Sequence, residues 1–429
     1  MKKKQLDRFY NKTVNQRIEK LIEENYIEDQ SIDNFIESFN LPEDIANHMI
    51  ENQIATYQVP LGLGLHFLID GNDYLVPMAT EEPSVIAAAS FAAKTIRLAG
   101  GFKTEIDERV MIGQIALKDI KNKEKAIQAI SSAEKEILTI ANEAHPSIVK
   151  RGGGAVGVEV RFIESDKQYA TPSFLIVHLL VETLEAMGAN MINTMAEAVK
   201  PYLESLTDGK AVMGILSNYA TECLATARCR IPIKYLERQG HKGEDVRDGI
   251  IEANQFALAD PYRATTNNKG IMNGIDALVL ATGNDTRAIE AGAHAYAARS
   301  GQYRSLSKWT KAENGDLLGE LTIPLPIGTV GGSISIHPGA KVTHELLGSP
   351  DAKELESIIV SLGLAQNFAA TRALVTDGIQ KGHMALQAKS LAINAGAKGD
   401  EINKVARSLR REKHMNLQTA QTILKQLRQ

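Results

Sequence analysis

Cysteine, aromatic residues and long apolar runs are all scarce in this chain. Two cysteines occur in 429 residues, Cys223 and Cys229. Their spacing fits neither a zinc site nor a redox pair, and two thiols cannot form a disulfide scaffold. A reducing, cytoplasmic compartment is the natural expectation. Aromatic residues make up 5% of the chain and tryptophan occurs once. No segment approaches the roughly 20 apolar residues that cross a bilayer. The longest apolar run, 174–181, is short and contains His178. The start of the chain is charged and lacks the apolar stretch of a signal peptide. Net charge is only −4, which argues against a nucleic-acid binder, whose basic face must be clustered. HExxH and GxxxxGK[ST] are missing and no GxGxxG turn links a strand to a helix, so zinc-protease, P-loop and Rossmann readings have no support, and no metal site is expected.

What remains is ordinary globular composition, with 44% hydrophobic and 23% charged residues. Up to about residue 58, apolar residues at helical spacing predict helices: Ile18, Leu21, Ile22 and Tyr26, then Ile45, Met49 and Ile50, with Pro42 suited to a first turn. Residues 110–117 read as a strand and 121–144 as a helix. A break follows at Gly152-Gly153-Gly154. Alternation through Val156, Val158, Val160 and Phe162 reads as a second strand, and 174–181 as a third. A helix carrying Met191, Ile192, Met195, Ala198 and Val199 comes next, then a strand at 212–216. The order βαββαβ is ferredoxin-like. Asn314-Gly315 predicts a hairpin between two strand-like runs. The last 50 or so residues read as a helical appendage, with Asp400 and Asn416 as caps and Gly396 and Gly399 allowing movement. The expected class is α+β: a large mixed domain from 1–107 and 218–377, an inserted ferredoxin-like domain at 108–217, and a helical flap at 378–429.

Four segments set ionisable groups among small or apolar residues, where charge is costly unless it is paired or used. They are Glu81-Glu82-Pro83-Ser84, Asn268-Lys269-Gly270, Gly283-Asn284-Asp285 and Gly382-His383-Met384, read as loops or element ends. Residues 277–281 read as a buried strand leading to Asp285, which equally suits a helix cap. Two carboxyls, an amine and an imidazole form a set able to reduce a carbonyl. The amine steadies developing oxyanion charge, a carboxyl donates a proton, and an imidazole protonates a leaving group. At Glu185-Ala186-Met187-Gly188-Ala189-Asn190 a glycine meets a helix N-terminus, where amide donors and the helix dipole favour a phosphate. Read alone, the same residues also suit a plain strand–helix turn.

These words, together with Ile215-Leu216-Ser217-Asn218, Leu364-Ala365-Gln366-Asn367 and Asn268 through Gly274, stand in the order found in class II, bacterial-type hydroxymethylglutaryl-CoA (HMG-CoA) reductases. The chain closely resembles that family from about residue 40 to its end. The resemblance implies reduction of 3-hydroxy-3-methylglutaryl-CoA to mevalonate and free CoA by two successive hydrides from NADPH or NADH. It implies Lys269 at the carbonyl oxygen, Glu82 as proton donor, Asp285 tying these two together, and His383 protonating the CoA thiolate. It implies Ser84, Arg263, Asn273, Gln366 and Asn367 around the substrate, and the loop from Glu185 through Asn190 around the dinucleotide. It also implies a homodimer with the site at the subunit seam, under a mobile C-terminal flap. The matched position for an aspartate that favours NADH is His145, so NADPH is the expected cofactor. Two departures stand out. Asn267 replaces a histidine beside the lysine, and Glu51-Asn52-Gln53-Ile54-Ala55 stands where the family has Glu-Asn-Val-Ile-Gly. The alternatives are the same enzyme run oxidatively in mevalonate catabolism, or a silent acyl-CoA-binding relative.

Overall fold

A computed structural model describes residues 6, 9–28, 30–238, 240–376, 378–412 and 414–429, with the side chains of 379–386 outside that description. The chain opens with α1 (Val14–Glu23), α2 (Ile32–Glu37) and α3 (Glu43–Met49). Thr13 and Gln16 form a reciprocal capping box on α1, and Ser31 caps α2. Pro42 stands at the N-cap of α3, one residue earlier than its expected place. Strands β1 (Leu61–Ile69) and β2 (Asn72–Ala79) form a hairpin. Its turn, Asp70-Gly71, has φ of 49° and 88°, the left-handed pair that two-residue hairpins require. Helix α4 (Val85–Arg97) and strand β3 (Lys103–Ile106) complete this part.

The ferredoxin-like module follows: β4 (Val110–Lys118), α5 (Lys123–Ser132), α6 (Glu134–Ala144), α7 (Pro146–Val149), β5 (Gly154–Ile163), β6 (Phe174–Glu182), α8 (Ala189–Thr207) and β7 (Lys210–Ser217). Its sheet runs β5-β6-β4-β7, with every neighbour antiparallel. Alternate residues of β4 and β6 (Met111, Ile115, Leu175, Val177, Leu179) face α8, and these pack into one core. The single helix expected at 121–144 is broken at Ala133, whose φ of −99° and ψ of 9° end α5 and start α6. The apolar stripe continues across the break, so periodicity alone could not reveal it.

The chain then adds β8 (Leu224–Ile231), α9 (Gly243–Ala259), α10 (Pro261–Ala281), α11 (Thr286–Ala297), β9 (Ser307–Lys311), β10 (Leu317–Pro324), α12 (Pro338–Leu347) and α13 (Ala352–Leu374). A second antiparallel sheet has the order β3-β8-β10-β9, and Gly315 makes the expected hairpin turn at φ 89°. Helices α4, α10 and α13 share the main core with this sheet. One expectation fails here. Residues 277–281 are not a strand but the last turn and a half of α10, so Lys269 lies in mid-helix rather than on a loop. A short apolar run fits a buried helix as well as a strand. Gly274 is there for close packing: a Cβ would sit 3.2 Å from Leu362 and Gln366 of α13.

The tail is α14 (Ile379–Asn394), α15 (Asp400–Leu409) and α16 (Leu417–Leu427), joined by a small core of Ala388, Ala392, Val405, Leu409 and Leu424. Asn416 caps α16, its Oδ1 accepting from the Thr419 amide at 2.9 Å. Asp400 does not cap α15. It is the first helical residue, and Gly399 (φ 52°) stands at the cap.

Candidate active site

Asp260 starts α10 by accepting a hydrogen bond from the Arg263 amide at 2.7 Å, and Pro261 fits the first helical position. The helix then presents Lys269 and, one turn on, half-buried Asn273. The Lys269 ammonium donates to Glu82 Oε2 at 2.7 Å. Glu82 lies in the turn that starts α4, with its backbone amide bonded to Thr80 Oγ1 at 3.2 Å. Ser84, at the N-cap of α4, has φ 76°. A left-handed serine is uncommon, and such strain gathers at functional positions. An amine and a carboxyl from segments 187 residues apart are thus joined, and both stay open to solvent, the lysine side chain 61% exposed and the glutamate 36%. Arg263 is half-buried in the first turn of α10, and none of the described residues accepts from its guanidinium. Burial pulls its pKa down.

The other expected site residues divide into three groups. Asp285 caps α11, accepting from the Arg287 and Ala288 amides at 3.0 and 3.2 Å, and its ion-pair partner is Arg287, not Lys269. Asn367 is 2% exposed; its Oδ1 accepts from the Trp309 indole at 2.7 Å and its Nδ2 donates to Asn267 Oδ1 at 3.0 Å. Gln366 is buried beside it, with Oε1 lacking any hydrogen-bond partner. Asn267, the residue that replaces a histidine, therefore serves a buried amide chain that also reaches Ser305 at 2.9 Å. Finally, Gly382-His383-Met384 lies in α14, but the His383 side chain is outside the described residues.

The second cluster lies where β6 passes into α8. Gly188 caps α8 at φ 90°, and a Cβ there would come within 2.6 Å of Thr183. With no side chain capping α8, the first amides of the helix stay available. Glu185 turns away from that opening: its carboxylate accepts from Thr329 Oγ1 at 2.6 Å and from the Ala352 amide at 2.9 Å. Sequence reading missed what holds this loop. Arg109 donates to the carbonyls of Leu184 (2.5 Å), Ala186 (3.1 Å) and Ile327 (2.5 Å), and pairs with Glu356 of α13. Arg109 and Glu356 are 4% and 1% exposed. Asn284 clips the neighbouring loop by exchanging two bonds with Gly328, at 2.7 and 3.0 Å. Beyond it, Gly331 and Gly332 have φ of 85° and 54° and open space where a Cβ would stand. That doublet after an apolar strand was the available signal. His145 stands where α6 ends, its Nδ1 3.2 Å from Ser147 Oγ.

A solvent-open amine–carboxyl pair, together with an uncapped helix N-terminus on a ferredoxin-like module, is the equipment expected of a nucleotide-dependent oxidoreductase acting on a carbonyl. A sequence profile described as hydroxymethylglutaryl-coenzyme A reductase matches residues 13–388. The enzyme of that name from Archaeoglobus fulgidus is 46% identical, over 98% of this chain and 94% of its own. A probable reductase from Borreliella burgdorferi is 36% identical, over 82% of this chain and 79% of its own. Among solved structures, the Streptococcus pneumoniae reductase superposes with a TM-score of 0.84 at 50% identity, covering 98% of this chain and 99% of that one. A class II form of it bound to NADPH in open conformations gives 0.82 at 50% identity, covering 97% and 100%. The chain belongs to the hydroxymethylglutaryl-coenzyme A reductase family, the oxidoreductases that convert HMG-CoA to mevalonate.

Proposed function

We propose that this chain reduces HMG-CoA to mevalonate with NADPH, in the biosynthetic direction, at a site completed by a second copy of the chain. The observation that carries the reading is the 2.7 Å contact between Lys269 and Glu82, two ionisable groups that remain accessible to a substrate. Lys269 donates to the thioester carbonyl oxygen, and again to the aldehyde oxygen, as each gains negative charge. Glu82 orients that ammonium and passes a proton to the oxygen. Asp285, fixed at the start of α11, adds negative charge near the pair. Arg263, half-buried without a described acceptor, suits the substrate's terminal carboxylate, and Ser84 and Asn273 suit its hydroxyl. Asn367 and Gln366 act from behind, holding α13 against α10. His383 protonates the departing thiolate, which otherwise recaptures the aldehyde.

The dinucleotide seat fits the residues present. Gly188 leaves room for close backbone approach, and the uncapped amides of α8 would donate to a phosphate. NADPH, when bound, supplies the hydride. His145, with no acid at that position, accepts a 2′-phosphate that an aspartate would repel. The solved S. pneumoniae relative is bound to NADPH. A dimer is supported by residues 50–57, where Ile54 and Tyr57 are 98% and 96% exposed. Such exposure of large apolar side chains marks an interaction surface. Two buried free thiols suit a reducing cytoplasm.

The test is loss of nicotinamide absorbance on adding HMG-CoA. The reading predicts two NADPH oxidised per thioester, a kcat/KM higher with NADPH than with NADH, and a dimer by sedimentation. His383→Gln is expected to harm thioester reduction and spare reduction of added mevaldehyde, which has no thiolate to protonate. No HMG-CoA-dependent oxidation overturns the reading.

A further inference from the structure

The chain leaving β10 is tied at two points to the connector between α10 and α11. Asn284 in that connector takes both edges of Gly328. Its Oδ1 accepts from the Gly328 amide at 2.7 Å, and its Nδ2 donates to the Gly328 carbonyl at 3.0 Å. Further on, Ser333 Oγ donates to the Gly283 carbonyl at 2.8 Å. The Asn284 amide can stand only one way round. A backbone N–H donates and never accepts, so the Asn284 oxygen must face it. The nitrogen then faces the Gly328 carbonyl and, at 3.1 Å, Thr282 Oγ1, whose own hydrogen goes back to the Leu278 and Val279 carbonyls at 2.9 and 3.0 Å. The Asn284 backbone is fixed as well, its amide donating to the Val279 carbonyl at 3.0 Å. The grip on Gly328 is therefore an extension of the end of α10.

The other side of Gly328 meets the loop that leads into α8. A Cβ on Gly328 would stand 2.9 Å from the Met187 nitrogen and 3.2 Å from the Glu185 carbonyl oxygen. Only a residue without a side chain allows backbones to approach so closely. The next residue continues the contact. The Thr329 amide donates to the Glu185 carbonyl at 2.9 Å, and Thr329 Oγ1 donates to the Glu185 carboxylate at 2.6 Å. Arg109 bridges the carbonyls of Ile327 and Ala186. Past Thr329 the contacts thin out: Val330 is 45% exposed, and Gly331 and Gly332 have open space where a Cβ would stand. The backbone before α8 thus rests on a strap, and one side-chain amide clips that strap to the large domain.

We propose that Asn284 is a positioning residue for the dinucleotide. By holding Gly328 against Glu185, Ala186 and Met187, it fixes where the first amides of α8 present themselves to a phosphate. It acts through Gly328 and not by its own contact with the cofactor. This rests on the dinucleotide seat proposed above at Gly188. With the clip removed, the strap and the loop behind it gain freedom, and binding must order them again. Asp285, the next residue, keeps its own bonds to the Arg287 and Ala288 amides, so the effect falls on the cofactor seat and not on the start of α11.

The experiment compares equilibrium binding of NADPH, followed by its own fluorescence, in the wild type, Asn284→Ala, Gly328→Ala and the double variant, with free coenzyme A as the control ligand. Asn284→Ala is expected to weaken NADPH binding about tenfold, the size of two ordinary hydrogen bonds lost, and to leave coenzyme A binding unchanged. Gly328→Ala pushes the strap away instead of releasing it and is expected to weaken NADPH likewise. The double variant is expected to lose little more than the worse single one, because both act on one contact. Hydrogen exchange without ligand reads the link directly: Asn284→Ala should quicken exchange at 186–188 as well as at 328–329. Unchanged NADPH affinity overturns the proposal. So does an equal loss for both ligands, which would make Asn284 a general structural support. Fully additive losses overturn it as well, since Asn284 would then not act through Gly328, and so does exchange that quickens at 328–329 alone. None of these readings needs turnover, so a protein that binds NADPH and leaves HMG-CoA unreduced counts against the function proposed above and not against this link. A wild type that binds no NADPH counts against the seat, while hydrogen exchange still decides the link.

Discussion

The two halves of the site are built from different materials. On the large domain, the proposed chemistry is carried by side chains: Lys269 from the middle of α10 meets Glu82 from the turn before α4. On the ferredoxin-like module, the proposed phosphate seat is backbone, the left-handed Gly188 and the open amides of α8. The first is a pair of functional groups that a single substitution deletes. The second is a shape that a substitution distorts. Arg109 and Glu356 lock the loop from Leu184 to Ala186 onto α13, so the seat also depends on contacts with the other domain.

The contrast can be pressed from both sides. Glu82→Gln keeps a hydrogen-bond acceptor for Lys269 but carries no proton to transfer. We expect kcat to fall about 10²–10⁴-fold with little change in thermal stability, by steady-state kinetics beside calorimetry. Arg109→Met should do the reverse. Leaving Glu356 buried without its cation costs roughly 3–5 kcal/mol, read as a lower unfolding midpoint together with a higher KM for NADPH. Gly188→Ala puts a side chain at φ 90° and against Thr183. About 1–2 kcal/mol of backbone strain is expected, appearing as a rise of up to about tenfold in the KM for NADPH while the KM for HMG-CoA stays put. An equal rise for both would show that the two halves are not separable.

A separate effect, read in stability alone, concerns a neighbour of the lysine. Asp276 lies two turns beyond Lys269 on α10. Burial first, then the Glu290 carboxylate facing it from α11, raises its pKa to about 8, and its Oδ1 has no partner. The folded chain thus holds a proton that the unfolded chain releases near its ordinary value of 3.8. The sign follows: Asp276 contributes stability below that value and loses it as pH rises towards 8. Asp276→Asn should flatten the decline of the unfolding midpoint between pH 5 and pH 8. An unaltered slope would mean that the Asp276 carboxyl is not held protonated in the folded chain.

How far the sequence was legible follows the same division. Side-chain chemistry was readable, because Lys269 and Glu82 stand out among small and apolar neighbours, whereas Arg263 came only through the family resemblance. The βαββαβ order was readable because strand and helix periods differ. The last turns of α10 were not, since five apolar residues carry no period. Neither was the Arg109–Glu356 lock. Its members lie 247 residues apart, and one arginine before a strand has no local signature. Asn367 teaches the opposite lesson. Its motif was plain in the sequence, yet the side chain is spent on Trp309 and Asn267, which only packing could reveal.

The central claim is that one ammonium serves both reductions. The direct measurement is Lys269→Ala assayed separately on HMG-CoA and on mevaldehyde, with folding checked by circular dichroism. Losing a main oxyanion donor costs about 10²–10³-fold, and the account predicts a loss of at least that size on both substrates. A variant that still reduces mevaldehyde at near wild-type rate would contradict it.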